Sequence, residues 1–204
     1  MKNTRFALVA APALISVYGI VRLLDGLNGN RGPGPLWVLG HLAFLVSLVL
    51  FVPILLTLRR AATGGRGTAS RVVATVATVL GLGGAVAAMA QIAIDIWVGA
   101  TAADSAEMAR MFDDVKSVPG VPAIVYGPGP ALFYLGLLAL LVGCAVARSI
   151  PAWTPVLAFA GIVASLASLD LLPVTGVLML APLLPLWRAG AQKDAAMLPT
   201  RHQA

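Results

Sequence analysis

Of 204 residues, 59% are apolar and only 11% are charged, and the formal net charge is +6. Too few polar side chains remain to cover a water-soluble globule, so the chain reads as an all-α integral membrane helical bundle with the lipid bilayer as its surroundings. The basic excess follows membrane topology, set out below, which excludes a nucleic-acid patch; no nucleic-acid partner is expected.

A hydrocarbon core of about 30 Å takes roughly 20 apolar residues per helix. Six stretches answer to that description, 6–24, 36–58, 72–97, 130–147, 152–169 and 171–187, and together they make 1–204 a single transmembrane domain. Lys2 and Arg5 precede the first, and the small residues Ala10, Ala11 and Ala13 give it some signal-peptide character. Arg22 and Asp25 at its far end favour a retained helix. The second span follows Arg31-Gly-Pro-Gly-Pro35, and the fourth follows the near-copy Tyr126-Gly-Pro-Gly-Pro130. In both, proline starts a helix where a missing N–H is harmless.

Gly81, Gly84, Ala88, Gln91 and Asp95 of the third span recur at intervals of three and four and so share one face. Small residues let membrane helices approach closely, which makes this helix central, with Gln91 and Asp95 turned into the bundle. Segment 104–118 reads as an outer amphipathic helix. Asp104 and Glu107 have capping-box spacing, Met108, Met111, Phe112, Val115 and Val118 form an apolar stripe, and Pro119 ends the element. That helix is either a lid over an outward cavity or a connector resting its apolar side on lipid. Cys144, the one cysteine, lies inside the fourth span and reads as packing. The region 152–187 is two short spans with a tight turn at Asp170–Gly176, or one span plus a re-entrant piece; Pro173 and Gly176 favour the turn. Asp25, Asp95 and Asp170 each end an odd-numbered span, which fits a threefold repeat of helical hairpins or recurring helix-end chemistry.

Orientation follows from the basic residues, which stay in the cytoplasm. With both termini inside, Lys2, Arg5, Arg59, Arg60, Arg66, Arg71, Arg148, Arg188, Lys193 and Arg201 are cytoplasmic, ten of fourteen cations. Seven of eight acids fall on the opposite face, Asp194 being the exception. Trp37 and Trp97 then mark outer helix ends and Trp153 and Trp187 inner ones, as an amphipathic indole prefers. Arg59, Arg60, Arg66 and Arg71 suit anionic headgroups. The cell membrane is the expected location.

Ordering the polar residues by depth gathers Arg22, Asp25, His41, Gln91, Asp95 and Asp170 in the outer leaflet, with Tyr134 and Thr175 at a similar level. This cluster is the candidate ligand-binding site. No catalytic residue is assigned; if the chain is an enzyme, Asp95 is the general acid and Asp170 or Asp25 the stabiliser of developing positive charge on a lipid or isoprenoid substrate. One intramembrane histidine does not make a metal centre, and no cofactor is expected. Phosphate-loop, HExxH, GxSxG and GxGxxG strings are absent from the sequence.

The Ala, Gly, Val, Leu and Arg bias resembles the uncharacterised small multi-pass membrane proteins of high-GC actinobacteria. The resemblance is compositional, covers the whole chain and carries no functional residue across. The leading expectation is a non-enzymatic bundle that binds or moves a small amphipathic or lipid ligand, or is a subunit of an assembly with a membrane-protein partner. An intramembrane enzyme and a structural or regulatory membrane protein are the alternatives. The charge asymmetry makes a direct topological prediction: reporters fused within 62–68 and at the C-terminus report cytoplasm, and a reporter within 104–118 reports the opposite side. An outside C-terminus would mean an odd number of crossings.

Overall fold

A computed structural model of the protein describes residues 2–27, 29, 31–64 and 67–196. Arg66 and Arg201 lie outside the described residues, as do the side chains of Lys2, Lys193 and Asp194. Among the described residues the chain is helical throughout: α1 (Lys2–Asp25), α2 (Pro35–Thr63), α3 (Thr68–Thr101), α4 (Ser105–Ser117), α5 (Val121–Ile124), α6 (Pro128–Val146), α7 (Thr154–Ala167) and α8 (Leu172–Ala196). A single 3-10 turn, Leu169–Leu171, joins the last two. Five segments are long and apolar enough to cross a membrane, those built on α1, α2, α3, α6 and α8. The protein is a membrane helical bundle.

The sixth expected span is the short one. At 14 residues, α7 is about 21 Å long, less than a hydrocarbon core. Its ends nevertheless reach opposite ends of the bundle. Just before it, Ser149 Oγ donates to the Ala61 carbonyl at the end of α2 (3.0 Å). Just after it, the Asp170 carboxylate meets Arg31 from the α1–α2 loop (2.8 Å). α7 and α8 therefore form an antiparallel hairpin.

The turn of that hairpin sits earlier than Pro173 and Gly176 imply. Ser168 Oγ accepts from the Asp170 N–H (3.1 Å) and caps the 3-10 turn, and α8 has begun by Leu172. Pro173 occupies the first turn of α8, where its missing N–H is harmless. Gly176 is inside the helix for a different reason. A Cβ there would collide with Ser16 and the Pro12 carbonyl of α1, so glycine permits α8 to lie against α1. Ser16 Oγ donates to the Pro173 carbonyl across the same contact (2.9 Å).

α3 packs between α2 and α6, while α2 is the one of the five long spans that meets three others, α1, α3 and α6, so α3 is not the centre that its small-residue face implies. Gly81 faces Gly136 of α6, and a methyl on Gly84 would sit 2.6 Å from the Leu132 carbonyl carbon. Lipid gives no hydrophobic drive for helix pairing, so such backbone proximity supplies the van der Waals contact that holds the pair together. Around it, Phe51, Leu55, Leu58, Leu137, Leu140 and Leu141 are buried to within 1%. Cys144 is buried among them, with its thiol directed at the Leu58 carbonyl (3.2 Å).

The two Gly-Pro-Gly-Pro strings start helices in different register, α2 at its second proline and α6 at its first. The three acids also differ in setting, since Asp95 is buried while Asp170 is exposed. Recurring helix-end chemistry accounts for both without a functional repeat. α4 begins as the sequence reads: Asp104 Oδ1 accepts from the Glu107 N–H (2.8 Å), and Glu107 Oε2 accepts from the Ala103 N–H (2.7 Å). Met108 of its apolar stripe is buried. Gly120, at φ 88°, reverses the chain into α5, a backbone conformation that suits glycine.

Gly84→Leu is expected to break the α3–α6 contact, because the side chain has no space and α6 backbone cannot give way. Val79→Leu, on the 63% exposed lipid face, should leave the melting temperature in detergent unchanged. Equal melting temperatures for both variants would show that the α3–α6 contact at Gly84 does not support the fold.

Candidate functional site

Behind the outer ends of the helices lies a cavity of about 290 Å³. Its walls come from α1, α2, α3, α6, α7 and the 3-10 turn. Four of the six expected site residues line it: Arg22, His41, Gln91 and Asp95. They converge because of helical spacing. Gln91 and Asp95 are one turn apart on α3, on the face that packs inward at Gly81 and Gly84, and His41 lies one turn into α2 from Trp37.

His41 and Asp95 form the polar floor. His41 Nδ1 is 2.7 Å from the Trp37 carbonyl, four residues earlier on α2. A carbonyl can only accept, so Nδ1 carries the hydrogen, and Nε2 is the acceptor of the neutral ring. That Nε2 lies 3.3 Å from the Tyr18 hydroxyl and 3.8 Å from Asp95 Oδ2. Asp95 Oδ1 accepts from the Tyr126 hydroxyl (3.2 Å). The Asp95 backbone carbonyl accepts from the Trp37 indole N–H (2.7 Å), which ties α2 to α3 at this level. Trp37 also stacks on His41, with ring centroids 4.3 Å apart.

Aromatic rings make up much of the remaining wall. Tyr18 stacks on Phe44 at 5.0 Å, nearly parallel, and Phe133 leans against Tyr134 at 5.4 Å. All four line the cavity, as do Trp37 and the aliphatic Leu48 and Ile92. Leu166 and Leu169 line it too and are 73% and 48% exposed on the outside. α7 packs mainly on α8 and only lightly on α6. The cavity is therefore thinnest-walled, and opens sideways, between α6 and α7.

Asp25 and Asp170 do not join this floor. Arg22 does not pair with Asp25, three residues on, as the spacing implies. Its Nε instead approaches Asp170 Oδ1 (3.5 Å), which Arg31 also contacts at 2.8 Å. The α7–α8 hairpin brings Asp170 between the two guanidinium groups at the rim, a long-range arrangement that overrides local helix spacing. Asp25 stays beside Arg22 at the outer end of α1, outside the cavity. Neither acid is placed to stabilise charge developing next to Asp95. Thr175 is buried in the α7–α8 contact, where its hydroxyl donates to the Gly161 carbonyl (3.1 Å).

α4 touches the walls without lining the space. Phe112 lies 6.4 Å from Trp37, and Lys116 Nζ stands over the Phe112 and Tyr126 rings at 5.6 and 5.4 Å. It covers the residues that hold Asp95. Among the described residues, no cluster of three or more His, Cys, Asp or Glu side chains could hold a metal ion.

Depth along the spans puts Tyr18, Phe133 and Tyr134 at this level; Phe44 is the aromatic wall residue it did not single out. The signal for the shared wall is helical spacing: Tyr18 and Arg22 are one turn apart, and His41, Phe44 and Leu48 share a face of α2. No family model, curated protein or solved structure matches the chain.

Trp37→Phe removes the indole donor and leaves the Asp95 carbonyl with one partner fewer. The expected loss is about 1–2 kcal/mol, read as reduced stability to denaturant in detergent. Trp97→Phe, at a 53% exposed site, should lose almost none.

Proposed function

We propose that the protein is a cell-membrane receptor or carrier for a small amphipathic molecule, non-enzymatic, with the cavity in the outer half of the bundle as its binding site. The observation that carries this reading is the polar floor of buried His41 and Asp95 and half-buried Gln91 beneath aromatic and aliphatic walls. Such a combination, mostly apolar with a few convergent polar groups, is the usual character of a small-molecule site, and about 290 Å³ is near the lower end of its size range. The sideways opening at Leu166 and Leu169 fits a ligand that reaches the site from the lipid with its tail trailing. Asp95 fixes the head. Arg22, held by Asp170, forms the rim.

A purely structural role sits poorly with this arrangement. Buried polar groups are hydrogen-bonded when they serve packing alone, whereas Arg22 Nε in the cavity wall is buried without a hydrogen-bond partner among the described residues. The membrane-enzyme reading needs a second carboxylate near Asp95, and Asp25 and Asp170 are both outside the cavity.

Two variants test the proposal by mass spectrometry of small molecules that co-purify with the protein. Ala88→Phe fills the cavity from α3 and is expected to remove the bound molecule at an overpacking cost of about 1–3 kcal/mol. Asp95→Asn keeps the shape of the side chain but removes its charge, and should fold like the parent while losing most of that ligand. Unchanged ligand content in both variants would show that nothing functional occupies this space.

A further inference from the structure

The hydrogen-bond inventory of the cavity goes further and specifies the head group. Most donors at its floor are already used: the Trp37 indole N–H on the Asp95 carbonyl, the Tyr126 hydroxyl on Asp95 Oδ1, the Ser165 hydroxyl on the Ile162 carbonyl and the Tyr18 hydroxyl on His41 Nε2. The His41 ring has spent its Nδ1 hydrogen on Trp37 and its one Nε2 lone pair on Tyr18. What remains open beside Asp95 is acceptor capacity at Asp95 Oδ2, which lies 3.8 Å from His41 Nε2, too far for a direct hydrogen bond, and at the Gln91 amide oxygen. At the rim, Arg22 Nε is buried without a hydrogen-bond partner among the described residues and faces Asp170 at 3.5 Å.

Charge points the same way. Asp95 is 8% exposed, and a buried carboxylate is costly unless a cation accompanies it. The chain's own nearby cations are engaged elsewhere. Arg22 and Arg31 converge on Asp170, and Lys116 stands over Phe112 and Tyr126. None of them forms an ion pair with Asp95 among the described residues. The walls then offer the faces of Tyr18, Trp37, Phe44, Phe133 and Tyr134, the kind of surface that attracts a desolvated cation through the ring quadrupole.

We propose that the cavity takes the protonated primary amine of a single-chain amphiphile, its ammonium on Asp95 and its tail leaving between α6 and α7; this rests on the cavity's being a binding site. The ammonium has three hydrogens, enough to reach Asp95 Oδ2 and the Gln91 amide oxygen with the third turned to the aromatic faces. An alcohol has one hydrogen for the same acceptors and no charge. A carboxylate brings a second anion to Asp95 and has no hydrogen to give.

The test uses the full-length protein in nanodiscs and three photoreactive dodecyl amphiphiles that share a diazirine-bearing tail and differ in the head: amine, alcohol and carboxylate. Labelling of peptides carrying Phe44, Ile92 and Tyr134 is measured against labelling at lipid-facing Val79. The amine should label the cavity about tenfold more than the carboxylate, with the alcohol between. Unlabelled dodecylamine should suppress the signal, and Asp95→Asn should bring the amine down to the level of the alcohol. Equal or stronger labelling by the alcohol or the carboxylate overturns the head-group assignment while leaving a binding cavity in place. Labelling of the cavity by none of the three overturns the binding reading itself. An amine preference that survives in folded Asp95→Asn also overturns the assignment, and if that variant does not fold, the ranking and competition in the parent protein decide.

Discussion

The close approach of α3 and α6 at Gly81, Gly84 and Gly136 sets the geometry of the bundle. In water, burial of leucine would hold two such helices together; in lipid the tails are as apolar as leucine, and the helices must gain from contact itself. Glycine provides that contact by removing the side chain that would keep the backbones apart. One face of α3 is thereby fixed toward the interior along its whole length. The same face carries Ala88, Gln91 and Asp95 one to three turns further out, so a packing decision deep in the bundle aims a carboxylate into its outer half. α1 and α8 repeat the device at Gly176, and that second contact places the α7–α8 hairpin, with Asp170 at its tip, over the cavity's rim.

Much of this was legible in the chain. The class followed from composition, the helix starts, to within a few residues, from the two Gly-Pro-Gly-Pro strings, the outer helix from Asp104 and Glu107, and the small-residue face of α3 from spacing alone. These are local signals, carried by residues within a few turns of one another. The turn between α7 and α8 was misplaced because Pro173 and Gly176 have two physical uses. Proline punctuates a turn or begins a helix, and glycine bends a chain or lets another helix come close. Only the neighbour, here Pro12 and Ser16 of α1, tells which use applies.

The site was legible in depth but not in azimuth. Ordering residues along the membrane normal put Arg22, Asp25, His41, Gln91, Asp95 and Asp170 at one level, yet sequence does not say how far each helix is rotated about its own axis. Four of them turn inward. Asp25, one turn beyond Arg22, faces a small void against α2 beside the cavity and does not enter it, and Asp170 belongs to a rim pair with Arg22 and Arg31 that no i,i+3 rule contains. The aromatic walls were legible in depth, Phe44 apart, but not in azimuth, for the same reason. Tyr18, Phe44, Phe133 and Tyr134 come from three helices, and their shared face exists only after the helices are packed.

Asp95 differs from an ordinary structural carboxylate in what surrounds it. A fold that needed a buried acid as a staple would give it a cation, since an unneutralised charge away from water is destabilising. Three cations stand in this part of the molecule, and each has other company: Arg22 and Arg31 share Asp170, while Lys116 lies on aromatic rings. The hydrogen bonds Asp95 receives are those that orient it, from Tyr126 to one oxygen and from Trp37 to its backbone. Its second oxygen is left facing open space among aromatic side chains. The packing therefore holds the carboxylate in position and stops short of satisfying it, which is the condition in which a ligand's charge and hydrogens contribute most.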